Sequence, residues 1–192
     1  MSSSLEARVL DALEALPGEG VNALIVSDYG LGVVTDAVRE IVGRLAGKMI
    51  VSVDSRHGAD AFKGVTAITP NEEEVEALVG YVPDEARLDE AGNTLLERTG
   101  ARAVLITRGS KGMSVFENEG GRTDIPVYGS DEAADVTGAG DTVIAAFTLS
   151  LASGASVPEA AEIANRSAGL VVMKRGTAVV YRDELLGTLE ED

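Results

Sequence analysis

Apolar residues recur at helical spacing at Leu5, Val9, Leu13 and Leu16, so one stripe of an N-terminal helix is expected to face a core. Ser3 stands three residues ahead of Glu6, the spacing of a capping box, and Pro17-Gly18-Glu19-Gly20 ends the helix. Residues 23–26 form a short unbroken apolar run, as a strand buried on both faces would. Thr35 is placed to cap a second helix whose inner face is Val38, Ile41, Val42 and Leu45, stopped at Gly47. Residues 49–53 predict a second strand and 65–69 a third. Asn71 then caps a short helix with Glu72, Glu73 and Glu74 in its first turn, where the helix dipole favours acids, and Gly80 closes it. A helix over 88–98 and a strand over 103–107 follow. A hairpin pairs 113–116 with 124–127 around a polar turn, and two Ala-rich helices span 141–153 and 157–173. Strands alternating with helices predict an α/β fold with a largely parallel sheet.

Composition sharpens this picture in a few places. Hydrophobic residues make up 45% of the 192 positions but aromatics only 4%, with no Trp, so the core must be aliphatic. There is no Cys, which removes disulfide, thiolate–zinc and cysteine-nucleophile chemistry, and the one histidine, His57, reads as a loop residue rather than a ligand. The net charge of −16, from 32 acids against 16 bases, argues against binding nucleic acid through a basic face. It leaves room for a local anion site built from a few N–H groups. No apolar run approaches the roughly 20 residues of a membrane span. The N-terminus carries no secretory apolar stretch, so a cytoplasmic protein is the expectation.

The stretch richest in chemistry is Asp135-Val136-Thr137-Gly138-Ala139-Gly140-Asp141-Thr142. Gly138, Ala139 and Gly140 are small residues just ahead of a predicted helix, where backbone N–H groups can turn toward an anion and the dipole assists. A carboxylate in that first turn would repel phosphate if it served only to hold it. Asp141 makes sense as the base that takes a proton from an attacking hydroxyl. An inert Gly-rich helix start is the competing reading, and for a bare Gly-Ala-Gly it would prevail. The dinucleotide fingerprint fails because Val143 stands where a third glycine is needed, and no Gly-x-x-x-x-Gly-Lys-Ser/Thr occurs.

The octet resembles the C-terminal signature of the ribokinase (PfkB) family of carbohydrate kinases. Further segments keep that family's order. Asn71-Glu72-Glu73-Glu74 is similar to its Asn-x-x-Glu motif, Thr107-Arg108-Gly109-Ser110-Lys111-Gly112 to its strand-end nucleotide loop, and Asn165 with Ala168-Gly169 to the helix beside its adenine pocket. The resemblance implies a ribokinase-like three-layer α/β/α fold and residues 1–192 as a single, partial domain of the family, without its N-terminal strands and lid. It implies ATP and Mg2+ as cofactors, with Asn71 and Glu74 near the metal. Thr107, Arg108, Gly109, Lys111, Gly112, Thr137 and Asn165 fall at nucleotide positions. Asp135 and Thr137 fall at positions that hold a monovalent cation in some members. The acceptor is then a sugar or sugar phosphate.

A narrower likeness, to the heptose 7-phosphate kinases of that family, rests on Ser27-Asp28-Tyr29-Gly30-Leu31-Gly32, Val53-Asp54-Ser55-Arg56, Ile68-Thr69-Pro70-Asn71 and Val171 to Ala178. Two departures stand out: Leu31 replaces the usual Lys, and Asp54-Ser55-Arg56 replaces Asp-Pro-Lys. The competing expectations are another sugar or sugar-phosphate kinase of that family, and a nucleotide-binding fragment, idle on its own and self-associating, or complemented by another chain that supplies the N-terminal part.

Overall fold

The computed structural model describes residues 2–129 and 134–190. Six strands form one sheet in sequential order: β1 (Ala23–Asp28), β2 (Ile50–Ser55), β3 (Ala67–Ile68), β4 (Ala103–Thr107), β5 (Met113–Glu117) and β6 (Gly121–Ile125). β1 to β4 pair in parallel, and β4, β5 and β6 pair antiparallel. Among the described residues, seven α-helices accompany them: α1 (Ser3–Ala15), α2 (Asp36–Leu45), α3 (Glu72–Val79), α4 (Leu88–Thr99), α5 (Ala139–Ala152), α6 (Val157–Val172) and α7 (Arg182–Leu189).

The period-2 alternation of the strands sorts the core into two layers. On β4, Val104 and Ile106 join Val51, Val53 and Ile68 against α2, α3 and α4. Ala103 and Leu105 point the other way, with Met113 and Val115, against Val143, Phe147 and Leu151 of α5 and the alanines of α6. The result is the three-layer arrangement expected of the ribokinase-like fold. α4 approaches the sheet closely at Gly92, where a Cβ would lie 2.5 Å from the Phe116 ring.

Several local expectations are corrected. The cap of α1 is Ser2, whose Oγ accepts from the Leu5 N–H at 3.4 Å. Glu6 does not close a capping box. Its carboxylate accepts from Thr35 Oγ1 at 2.6 Å and so ties α1 to the cap of α2. β1 is not buried on both faces: it is an edge strand paired only with β2 among the described residues, and Ile25 is 39% exposed. Its apolar run reflects packing of Leu24 and Val26 on the α1–α2 layer. The third strand shortens to two residues, although Thr66 and Thr69 still donate to Val51 and Val53 carbonyls. α7, which no strong apolar period announces, packs on α6. No helix among the described residues is long and apolar enough to cross a membrane.

Candidate active site

The C-terminal ends of the four parallel strands open on one side of the sheet, where α/β folds collect ligands. A cavity of about 550 Å3 lies there. Strand ends supply Ser27, Asp28, Asp54 and Thr107, the following loops supply Tyr29, Arg56, His57, Thr69 and Asn71, and α5 supplies Gly140 and Asp141 behind Gly138.

Gly138 caps α5 with φ of 79°, a conformation that favours glycine. Thr142 N–H and Oγ1 both bond back to the Gly138 carbonyl, at 3.0 and 2.9 Å, and fix the first turn. Ala139 N–H is donated to the Val136 carbonyl at 3.2 Å, which removes it from the expected anion-binding trio. Gly138 and Gly140 line the cavity and Ala139 does not. Asp141 is exposed to the cavity, and its Oδ1 accepts from the Tyr29 phenol at 3.1 Å.

Asn71 and Glu74 make a reciprocal capping box. Asn71 Oδ1 accepts from Glu74 N–H at 2.9 Å and Glu74 Oε2 accepts from Asn71 N–H at 3.0 Å. The capping role set against a metal role on sequence grounds is therefore present, and both residues still face the cavity. Asp54 completes the acidic wall. Burial, then the nearby charges of Glu74 and Asp141, raise its pKa to about 6, and Arg56 only partly offsets them.

Other residues singled out from the sequence stand apart from this cavity. Arg108 is buried, with Nε 3.1 Å from Glu72, one terminal nitrogen 3.2 Å from Ser114 Oγ and the other 2.6 Å from Glu85. Lys111 pairs with Glu72 at 3.0 Å. The tight turn Gly109–Lys111, closed by Gly112 at φ 85°, reverses the chain into β5 and carries both cations toward α3 and the hairpin. Asn165 is buried and its Nδ2 donates to the Pro126 carbonyl at 2.7 Å. Thr137 N–H donates to Asp135 Oδ1 at 2.9 Å, and Gly176 N–H donates to Asp135 Oδ2 at 3.1 Å. Hydrogen bonds from Thr137, then from Gly176, hold the Asp135 carboxyl below its usual range.

Asp28, Tyr29 and Asp54, which no motif marks as site residues, line the cavity, and so does His57, expected only as a loop residue. Their signal was positional: each lies at or just past the end of a parallel strand. Asp28 accepts from Gly30 N–H at 2.9 Å and Ser55 Oγ at 3.1 Å, and so joins the ends of β1 and β2.

This geometry, a glycine-capped helix start beside a carboxylate, is accompanied by a family match. The profile described as pfkB family carbohydrate kinase matches residues 47–183. The chain belongs to the PfkB family of carbohydrate kinases. Among curated PfkB relatives, Bifunctional protein HldE of Shewanella sediminis is 40% identical over 186 residues, 96% of this chain and 39% of that protein. The HldE of Nitrosococcus oceani is 44% identical over 169 residues, 86% of this chain and 35% of that protein. The chain thus spans about two fifths of the length of the curated relatives it matches. Arabidopsis thaliana ribokinase complexed with ribose and ATP superposes with a TM-score of 0.78 at 23% identity, over 94% of this chain and 59% of that one. Phosphofructokinase-2 from Escherichia coli in complex with fructose-6-phosphate gives 0.80 at 16% identity, over 100% of this chain and 62% of that one. At these identities the structural likeness speaks for the fold.

Proposed function

We propose that this chain carries the nucleotide and catalytic groups for phosphoryl transfer from ATP to a hydroxyl of a sugar phosphate, with heptose 7-phosphate giving heptose 1,7-bisphosphate as the first candidate. The observation that carries the reading is Asp141 in the first turn of α5, beside Gly138 and Gly140 at the mouth of the cavity. In the step itself, the acceptor oxygen forms a bond to the γ-phosphorus as the bond from that phosphorus to the β–γ bridging oxygen breaks. The acceptor proton passes to the Asp141 carboxylate and ADP leaves with the bridging oxygen's electrons. The N–H groups of Gly138 and Gly140 face the charge on the transferring group, where fixed dipoles act without reorganisation. The HldE relatives and the Ser27–Gly32 and Val53–Arg56 segments support the heptose phosphate assignment.

The acidic wall fits a divalent cation. Asp54 is held protonated well above its ordinary range in part by Glu74 and Asp141, and a cation would relieve that repulsion. Among the described residues no three acidic or histidine side chains converge closely enough to enclose a metal ion by themselves. Asp54 and Glu74 would therefore hold magnesium largely through water, as this ion favours. When bound, magnesium would neutralise phosphate charge.

The test is calorimetric titration with ATP–magnesium and then with heptose 7-phosphate, ribose and fructose 6-phosphate, followed by detection of the phosphorylated product. Transfer to heptose 7-phosphate with the best kcat/KM is the expected result. Nucleotide binding without any acceptor binding would return the chain to the competing reading of an idle nucleotide-binding fragment.

A further inference from the structure

Tyr29 lies in the loop after β1, and its phenol reaches across the cavity mouth to Asp141 on α5. Tyr29 is 46% exposed, so burial does not account for its position. Three contacts fix it instead. The O–H donates to Asp141 Oδ1 at 3.1 Å, and the Arg56 guanidinium sits 5.0 Å from the ring centroid. The backbone beside it is tied down by Gly30 N–H donating to Asp28 at 2.9 Å, while Asp28 also accepts from Ser55 of β2. Gly30 has φ of 71°, the left-handed conformation that favours glycine, so the turn beside Tyr29 is set by its backbone. The ends of β1 and β2 and the start of α5 meet at one phenol.

A phenolic O–H donated to a carboxylate oxygen is also what an acceptor hydroxyl must offer Asp141 before its proton moves. A general base works only when its oxygen is aimed at that proton. We infer that Tyr29 is a positioning residue for the phosphoryl-transfer reaction: its O–H holds Asp141 Oδ1 and so aims the second carboxylate oxygen at the acceptor hydroxyl. The inference rests on the kinase reading above. Arg56 lies over the ring and holds the phenol in register with Asp141. The hydroxyl carries this role and the ring only supports it.

The experiment uses the full-length protein with 3-fluorotyrosine in place of tyrosine, the Tyr29 fluorine resonance being assigned by its loss in Tyr29→Phe. Asp141→Ala should shift that resonance, and saturating heptose 7-phosphate with a non-hydrolysable ATP analogue should shift it in the wild type. Kinetics supply the second readout. Tyr29→Phe keeps the ring under Arg56 and loses the O–H, whereas Tyr29→Leu loses both. Both should lower kcat by roughly tenfold to a hundredfold, the scale of a misaimed catalytic group, with KM for ATP unchanged. A Tyr29→Phe protein with wild-type kcat beside an impaired Tyr29→Leu would show that the ring alone matters and would overturn the positioning role. So would a Tyr29 resonance indifferent to Asp141→Ala. A wild-type protein that phosphorylates no sugar, with the resonance responding to Asp141→Ala, would overturn the kinase reading and the role with it. Wild-type turnover combined with a normal Tyr29→Phe overturns the role alone.

Discussion

Replacing Asp54 by Asn should stabilise the protein at neutral pH and change little in acid. Asp54 sits near the end of β2, half-buried, with its pKa raised from 3.8 to about 6 by burial first and by Glu74 and Asp141 next. In the unfolded chain the carboxyl loses its proton near its ordinary value, while the folded chain keeps the proton until about pH 6. The folded state therefore binds more protons across that window, and stability falls as pH rises through it. Below about pH 4 both states are protonated and the penalty vanishes; above about pH 6 it is complete. At ~1.4 kcal/mol per pKa unit the interval sets an upper bound of about 3 kcal/mol, and solvent screening of a half-buried group brings the expected gain to about 1–1.5 kcal/mol. Asn keeps the shape and removes the charge. Urea unfolding of both proteins at half-unit steps from pH 4 to 8, without divalent cations, measures the difference directly. A difference that is flat across that range, or a variant less stable than wild type above pH 6, would refute the claim that burying the Asp54 charge beside other carboxylates strains this site.

Asp141→Asn should lower turnover by roughly 10²–10⁴ while nucleotide affinity, measured by calorimetry, stays within several-fold; near-normal turnover removes Asp141 from the role of base. Glu74→Gln should raise the magnesium concentration needed for half-maximal activity more than it weakens metal-free ATP binding, and an unchanged magnesium titration leaves Glu74 as a cap alone. Asn71→Ala should cost about 1 kcal/mol of stability through the lost α3 cap, read as a lower urea midpoint. Gly92→Ala places a methyl 2.5 Å from the Phe116 ring; overpacking outweighs the gain in helix propensity, and a net loss of about 1–2 kcal/mol is expected.

The sequence by itself determined the layered α/β architecture, because β-branched and aliphatic runs alternate with capped amphipathic helices and each period encodes one face. It also determined the helix caps at Thr35 and Asn71, which are local side chain to backbone contacts within three residues. The position of Asp141 in the first turn of a helix was legible for the same reason. Tertiary structure alone decided which charges face the cavity. Arg108 and Lys111 follow the end of β4, and Asp54 sits near the end of β2, yet the reversal into β5 turns the two cations toward Glu72 and Glu85. Asn165, expected near a nucleotide, is used by the Pro126 carbonyl 39 positions away. The bond from Tyr29 to Asp141 joins residues 112 positions apart, and the raised pKa of Asp54 depends on carboxylates from α3 and α5. Such effects arise from through-space charge and from the angle at which a loop leaves a strand, and neither is encoded in the local spacing of residues.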